Sequence, residues 1–159
     1  MDYCYFLDTN ALLEFERADD VIHHYPNIVV SSETLRELET IKVSKNKDEH
    51  VKQRAKNAVK FLSVAIRDGH AKVVIYNDRV KSKLTEMGLE EANIDNRICA
   101  CAASFAESCL VPIIFITADL YCQITAKQVF RLSVAGVTPY SSAILNRGYQ
   151  LLKGNSATS

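Results

Sequence analysis

Residues 3 to 15 read YCYFLDTNALLEF. The first five form an unbroken β-prone run without polar alternation, the pattern of a strand buried on both faces. Asp8-Thr9-Asn10 breaks the run with capping side chains, and Ala11 to Phe15 continues as helix. A strand followed at once by a cap and a helix opens a sheet with helical crossovers, and it sets Asp8 at the strand's carboxyl end.

The same grammar recurs downstream. Ile28 to Val30 is a short buried strand, Ser31-Ser32 a cap, and Leu35, Leu38 and Ile41 recur at helical spacing. Lys42 to His50 is polar and Lys-rich, a loop or an exposed helix end. Val51 to Arg67 resumes helical spacing through Ala55, Ala58, Val59, Leu62 and Ile66 until Asp68-Gly69 ends it. Val73 to Tyr76 reads as a third strand. Asp78 to Glu91 reads as exposed helix or loop, and Ile94 to Ala106 as an Ala- and Cys-rich helix. Val111 to Ile116 (VPIIFI) is another buried strand, and Thr117-Ala118-Asp119 repeats the polar break of the opening unit. This alternation predicts an α/β fold: a doubly wound, Rossmann-like parallel sheet with helices on both faces, whose sites lie outside the carboxyl ends of the strands. Two of those ends carry an aspartate, Asp8 and Asp119.

The 159 residues suit one domain, expected over 1 to 152, with a flexible tail from 153 to 159. Gly136 to Thr138 is expected as the last edge strand and Ser141 to Leu152 as a last helix. Apolar runs such as Leu110 to Ile116 are too short to span a bilayer, so no membrane association is expected. Cys4, Cys99, Cys101, Cys109 and Cys122 make an odd number with no Cys-x-x-Cys, which argues for a reducing, cytoplasmic setting with buried, reduced thiols. His23, His24, His50 and His70 read as exposed loop histidines. A Gly-rich phosphate loop and a Gly-x-Ser-x-Gly turn are both missing, which removes the main support for P-loop and α/β-hydrolase chemistry.

Net charge is zero, from 19 basic and 19 acidic residues, but the charges are segregated. Residues 1 to 40 hold nine acids and two bases, and residues 41 to 60 hold two acids and seven bases. Such a layout serves a cation site beside an anion-binding surface, and it serves equally as two solvated faces.

Four acids fall at strand ends or helix faces that a parallel sheet brings together: Asp8, Glu37, Asp95 and Asp119. Each has an apolar neighbour (Leu7, Leu38, Ile94, Leu120), which sets it at the border of the core, where an unpaired carboxylate is costly. Magnesium or manganese would remove that cost, because hard oxygens suit them. Taken singly, Asp8 and Asp119 read as ordinary helix caps, and Glu37 and Asp95 as surface charges.

In order and context these segments resemble the PIN domains, metal-dependent nucleases of the doubly wound class. FLDTNALL resembles the family's first-strand Asp-Thr-Asn signature, SSETLRELETIK its Glu-Leu helix, NIDNRICACA its Asp-x-x-Ile helix, and ITADL its Thr-x-Asp strand end. LRELETIK followed by RAKNAVKFL is similar to the two-helix passage of the amino-terminal PIN domain of PhoH-like ATPases. The resemblance covers residues 3 to 130. It implies one or two Mg2+ or Mn2+ ions held by Asp8, Glu37, Asp95 and Asp119, with Asn10 and Thr117 supporting those ligands. The activity implied is an endoribonuclease acting on single-stranded RNA. Lys42, Lys45, Lys47, Lys52, Arg54 and Lys56 follow the Glu37 helix and are the candidates for the RNA backbone, with Tyr121 a stacking candidate. Partners implied are a PhoH-like ATPase portion or an antitoxin-type protein, with a homo-oligomer left open. Asn96 departs from that branch, which often has an acid there; a catalytically degenerate RNA- or protein-binding module is therefore the alternative. A haloacid dehalogenase-type phosphatase needs a second acid where this chain has Asn10.

Overall fold

The computed structural model describes residues 3 to 137. Five short strands, β1 (Cys4–Leu7), β2 (Ile28–Ser31), β3 (Ala71–Val74), β4 (Ile113–Ile116) and β5 (Ser133–Ala135), form one sheet in the order β3-β2-β1-β4-β5. All pairings are parallel. The chain winds outward from β1 to β2 and β3, then returns to place β4 on the other side of β1. The crevice between the carboxyl ends of β1 and β4 is thus the switch point of the sheet, where α/β proteins place their sites.

The helices divide between the two faces. Strand residues alternate: Leu7, Ile28, Val30 and Ile116 enter one core, while Phe6, Val29, Ile113 and Phe115 enter the other. The first core is covered by α1 (Thr9–Leu13), α2 (Ala18–His24), α3 (Ser32–Lys42) and α4 (Glu49–Arg67), through residues such as Leu12, Val21, Leu38 and Leu62. Leu38 is fully buried, and truncating such a side chain to alanine costs about 2 to 5 kcal/mol. The second core is covered by α5 (Asp78–Glu86), α6 (Ile94–Ser108) and α7 (Leu120–Ile124), which runs on into a π-helical turn over Thr125–Val129. The buried residues of α6 are Asn96, Ile98, Cys99, Ala100, Cys101, Ala102 and Ala103, most of them small.

Several expectations need correction. The third strand begins at Ala71 and ends at Val74, two residues earlier than Val73 to Tyr76. The edge strand is Ser133–Ala135, because it is these residues that pair with Ile114 to Ile116, and Gly136 and Val137 follow it. Asp78 to Glu86 is a helix that buries Val80 and Leu84, an i, i+4 pair too sparse to stand out among its charges. His23 and His24 lie on α2, and His24 packs against the rings of Phe15 and Tyr25, where burial lowers its pKa. Gly69 and Gly88, both at positive φ, follow the ends of α4 and α5, where a side chain would strain the left-handed turn. All five cysteines are free thiols; Cys99, Cys101 and Cys122 are buried, and Cys4 and Cys109 partly so. The expected helix over Ser141 to Leu152, the domain end at 152 and the tail lie outside the described residues, as do Tyr140 and Tyr149. Among the described residues no helix is long and apolar enough to cross a membrane.

Candidate metal centre

The site is built at the ends of β1 and β4. Asp8 is the N-cap of α1 and only 1% exposed; its Oδ1 accepts the Thr9 N–H at 2.8 Å. Its Oδ2 accepts the Thr117 hydroxyl at 2.8 Å and the Asn10 amide at 2.9 Å. Asn10 also accepts the Ala118 N–H at 2.7 Å on its Oδ1. One side chain therefore donates to the first strand's aspartate and accepts from the loop after β4. An amide does both, whereas an aspartate in that position would set a second carboxylate against Asp8. Asp119 caps α7 through the Cys122 N–H at 2.9 Å, and its own N–H is bound by the Thr117 hydroxyl oxygen at 3.0 Å. For Asp8 and Asp119, capping the helix and belonging to the site are one arrangement.

Glu37 and Asp95 come from opposite faces of the sheet. Glu37 projects from the second turn of α3, and Asp95 from the first turn of α6, which Asn93 caps. Three of these carboxylates have raised pKa values. Burial raises the pKa of Asp8, against hydrogen bonds from Thr117 and Thr9, and the charge of Asp95 adds to the rise. Burial also raises that of Glu37, opposed by the Thr9 hydroxyl and increased by Asp8 and Asp95, with Arg97 nearby lowering it. Asp95 is raised by burial and by Asp119, with a hydrogen bond from Cys122 opposing.

The tightest cluster holds two of the expected four and one residue outside them. Oxygens of Asp8 and Asp95 and the sulfur of Cys122 lie within 4.8 Å of one another; Glu37 and Asp119 stand outside that group. Ligands 2.0 to 2.6 Å from one ion on opposite sides of it are about 4 to 5 Å apart, so the set fits a single divalent cation. Charge points the same way. Among the described residues no lysine, arginine or histidine forms an ion pair with Asp8 or Asp95. Buried carboxylates without a counter-charge are unfavourable, and a divalent ion supplies one.

Sequence reasoning misses two members of this neighbourhood. A buried cysteine such as Cys122 reads as packing, although its place three residues after Asp119, in the first turn of a helix the aspartate caps, puts its side chain back toward the strand ends. Glu33, 2% exposed, pairs with Arg97 at 3.3 Å and ties α3 to α6 beside Glu37. Only the i, i+4 spacing of Glu33 and Glu37 hints at it. Asn96 is buried and fully used: its amide donates to the Glu90 carbonyl at 3.0 Å, and its oxygen accepts the Tyr121 hydroxyl at 2.8 Å. That bond holds Tyr121 with 46% of its surface exposed next to Asp119.

The basic candidates divide into two kinds. Lys42 pairs with Glu39 and Lys52 with Glu49, each at 3.1 Å on its own helix. Arg54 donates to the Leu13 carbonyl at 2.9 Å and pairs with Glu16 at 3.5 Å, fastening α4 to the segment after β1. Lys45, Lys47 and Lys56 are exposed.

A family model described as PIN domain matches residues 5 to 130. No curated protein sequence matches the chain. Solved structures of similar fold include a chain of FitAB bound to an IR36 DNA fragment, 16% identical over 83% of this chain and 94% of that one, with a TM-score of 0.52. A chain of VapBC2 from Rickettsia felis bound to a DNA fragment from their promoter is 17% identical, covering 84% and 98%, with a TM-score of 0.48. A chain of VapBC-5 from Mycobacterium tuberculosis, a member of the VapBC family of toxin-antitoxin systems, is 21% identical, covering 85% and 97%, with the same score of 0.48.

Proposed function

The chain belongs to the PIN domain family of metal-dependent nucleases, and from that premise we propose that it is an endoribonuclease cleaving single-stranded RNA with Mg2+ or Mn2+. The ligands in this reading are Asp8, Glu37, Asp95 and Asp119. The observation that carries it is the convergence of buried Asp8 with Asp95 at the sheet's switch point, where neither has an ion-pair partner among the described residues. Divalent ions in such a site lower the pKa of a water nucleophile and stabilise charge on the leaving oxygen.

The chain's own residues supply position and electrostatics. Thr117 and Asn10 fix the rotamer of Asp8 from the β4 side, and Thr9 holds Glu37. Asp119 and Tyr121 stand at the mouth of the site, and the exposed ring of Tyr121, tethered to Asn96, offers a surface on which a base stacks. Exposed Lys45, Lys47 and Lys56 are the stronger candidates for phosphate contacts, because Lys42, Lys52 and Arg54 are already paired. Within the family, the LRELETIK and RAKNAVKFL passage supports the PhoH-like branch, and the five free thiols support a reducing cytoplasmic setting.

The test is incubation of the protein with end-labelled single-stranded RNA and manganese or magnesium, with and without chelator, while mapping product ends. Cleavage that needs the metal and leaves 5′-phosphate and 3′-hydroxyl ends is the expected result; none with either ion would end the reading. Asn96, where the PhoH-like branch often has an acid, supports a second reading, a degenerate module that binds without cutting. Manganese titration separates the two, since a degenerate site takes up no ion.

A further inference from the structure

The thiols of the molecule fall into two groups. Cys99, Cys101 and Cys122 are wholly buried, whereas Cys4 and Cys109 are partly exposed. Cys4 opens β1 and Cys109 is the C-cap of α6, 105 positions later, yet their sulfurs lie 3.9 Å apart in a weak S–H···S contact. The backbone supports this meeting: the Cys4 N–H binds the Pro112 carbonyl at 2.9 Å, and Cys4 pairs with Ile113 of β4. Cys109 has extended backbone, and Leu110, Val111 and Pro112 after it are exposed, so the link from helix to strand runs over the surface. A disulfide sets its sulfurs about 2.05 Å apart, so these two must close by about 2 Å. Side-chain rotation at one or both cysteines, with a slight backbone adjustment in the exposed link, supplies such a move.

We propose that Cys4 and Cys109 are a reversible redox pair, oxidised by peroxide to a disulfide that staples the start of β1 to the segment leading into β4. The pair is independent of the metal chemistry proposed above, because it lies at the amino ends of β1 and β4 and the acidic centre at their carboxyl ends. One thiol gives its proton to water, and its sulfur attacks a peroxide oxygen; the O–O bond breaks, hydroxide leaves and a sulfenic acid forms. The second sulfur, deprotonated in turn, attacks the first; the S–O bond breaks, a second hydroxide leaves and the S–S bond forms. Two thiols lose two electrons in all, and peroxide is reduced to two waters. Burial and the neighbouring thiol raise the pKa of Cys4, with the Lys72 ammonium opposing, so Cys4 is held as a thiol at neutral pH and oxidation should quicken as pH rises. In a reducing compartment such a bond is transient, formed under peroxide and undone by thiols.

Treating the full chain with hydrogen peroxide, then unfolding it in an alkylating reagent and mapping its peptides without reductant, tests this. The expected product is one intramolecular bond between Cys4 and Cys109, formed at a rate independent of protein concentration and reversed by dithiothreitol. Cys99, Cys101 and Cys122 should still be alkylated. Closing so long a loop restricts the unfolded chain, so the melting temperature of the oxidised protein in chelator should rise by about 5 to 15 °C. Cys4→Ala and Cys109→Ser should each abolish both the bond and the rise. Wild-type protein whose five thiols all stay alkylatable under excess peroxide overturns the inference, and needs no variant to fold. A bond that joins any other pair overturns it too, as does a melting temperature that the bond leaves unchanged or lowers.

Discussion

The acidic centre and the basic passage after Glu37 are both concentrations of one charge, and they are built in opposite ways. In the centre, Asp8 is buried and single side chains serve several neighbours: Thr117 holds Asp8 and Asp119, and Asn10 holds Asp8 and Ala118. In the passage, the lysines are exposed or paired with a glutamate three residues away on the same helix, and Arg54 alone reaches a distant segment. The first region is a network, in which removing one member is felt by the rest. The lysines of the second are separate side chains, each worth little to the fold.

The sharpest way to break this contrast is Asp8→Asn. Metal-dependent RNA cleavage should fall by at least about 100-fold, and the melting temperature should no longer respond to manganese. A variant that still cuts at the wild-type rate would mean that the centre is not a network around Asp8. Next comes the pH response. Asp8, Glu37 and Asp95 have folded-state pKa values raised above their ordinary ones, so the folded protein holds more protons than the unfolded chain between those two ranges. Stability in chelator should therefore fall as pH rises from the ordinary carboxylate range through the raised values, and acidification within that window should stabilise. Manganese at a hundredfold excess over its dissociation constant should add about 2.7 kcal/mol at neutral pH. Calorimetric scans across pH, with and without the ion, check both statements, and a rise in chelator stability over that window would contradict the first.

Thr117→Val probes the shared supports. It keeps the shape but removes the donor to Asp8 and the acceptor for Asp119, at a cost of about 1 to 3 kcal/mol by urea unfolding and about 10- to 100-fold in metal affinity. The smallest effects belong to the passage. Changing Lys45, Lys47 and Lys56 to Glu should leave the unfolding midpoint nearly unmoved and flatten the salt dependence of RNA binding, by about 0.7 slope units for each phosphate no longer neutralised. An unchanged slope would assign these lysines to solvent.

The contrast also governs what can be read from residues alone. Asp8 and Asp119 are legible because a buried apolar run that stops at an aspartate and a cap fixes where the side chain lies. Glu37 and Asp95 are legible only through resemblance, since helical spacing alone cannot say which way a half-buried acid turns. Cys122 escapes such reading because a buried cysteine is usually packing, and only the meeting of α7 with the end of β1 reveals the carboxylates it touches. The edge strand escapes for a similar reason: Ser133-Val134-Ala135 has little β character of its own and exists because β4 offers a free edge. For the lysines, sequence shows the charge, but the pairing of Lys42, Lys52 and Arg54 depends on partners that only the fold, or the helix register, brings into reach.

The bond between Thr117 and Asp8 joins residues 109 positions apart. Interactions of such span form late, because the intervening chain must first be ordered to bring its ends together. On a ribosome adding about 5 to 20 residues per second, the first aspartate waits roughly 5 to 20 seconds for its supporting hydroxyl to be made. During that interval β1 can pair with β2, but the crevice has only one wall. A nascent chain therefore emerges with its acids scattered, and the candidate centre comes together in a single late event, the arrival of β4 beside β1.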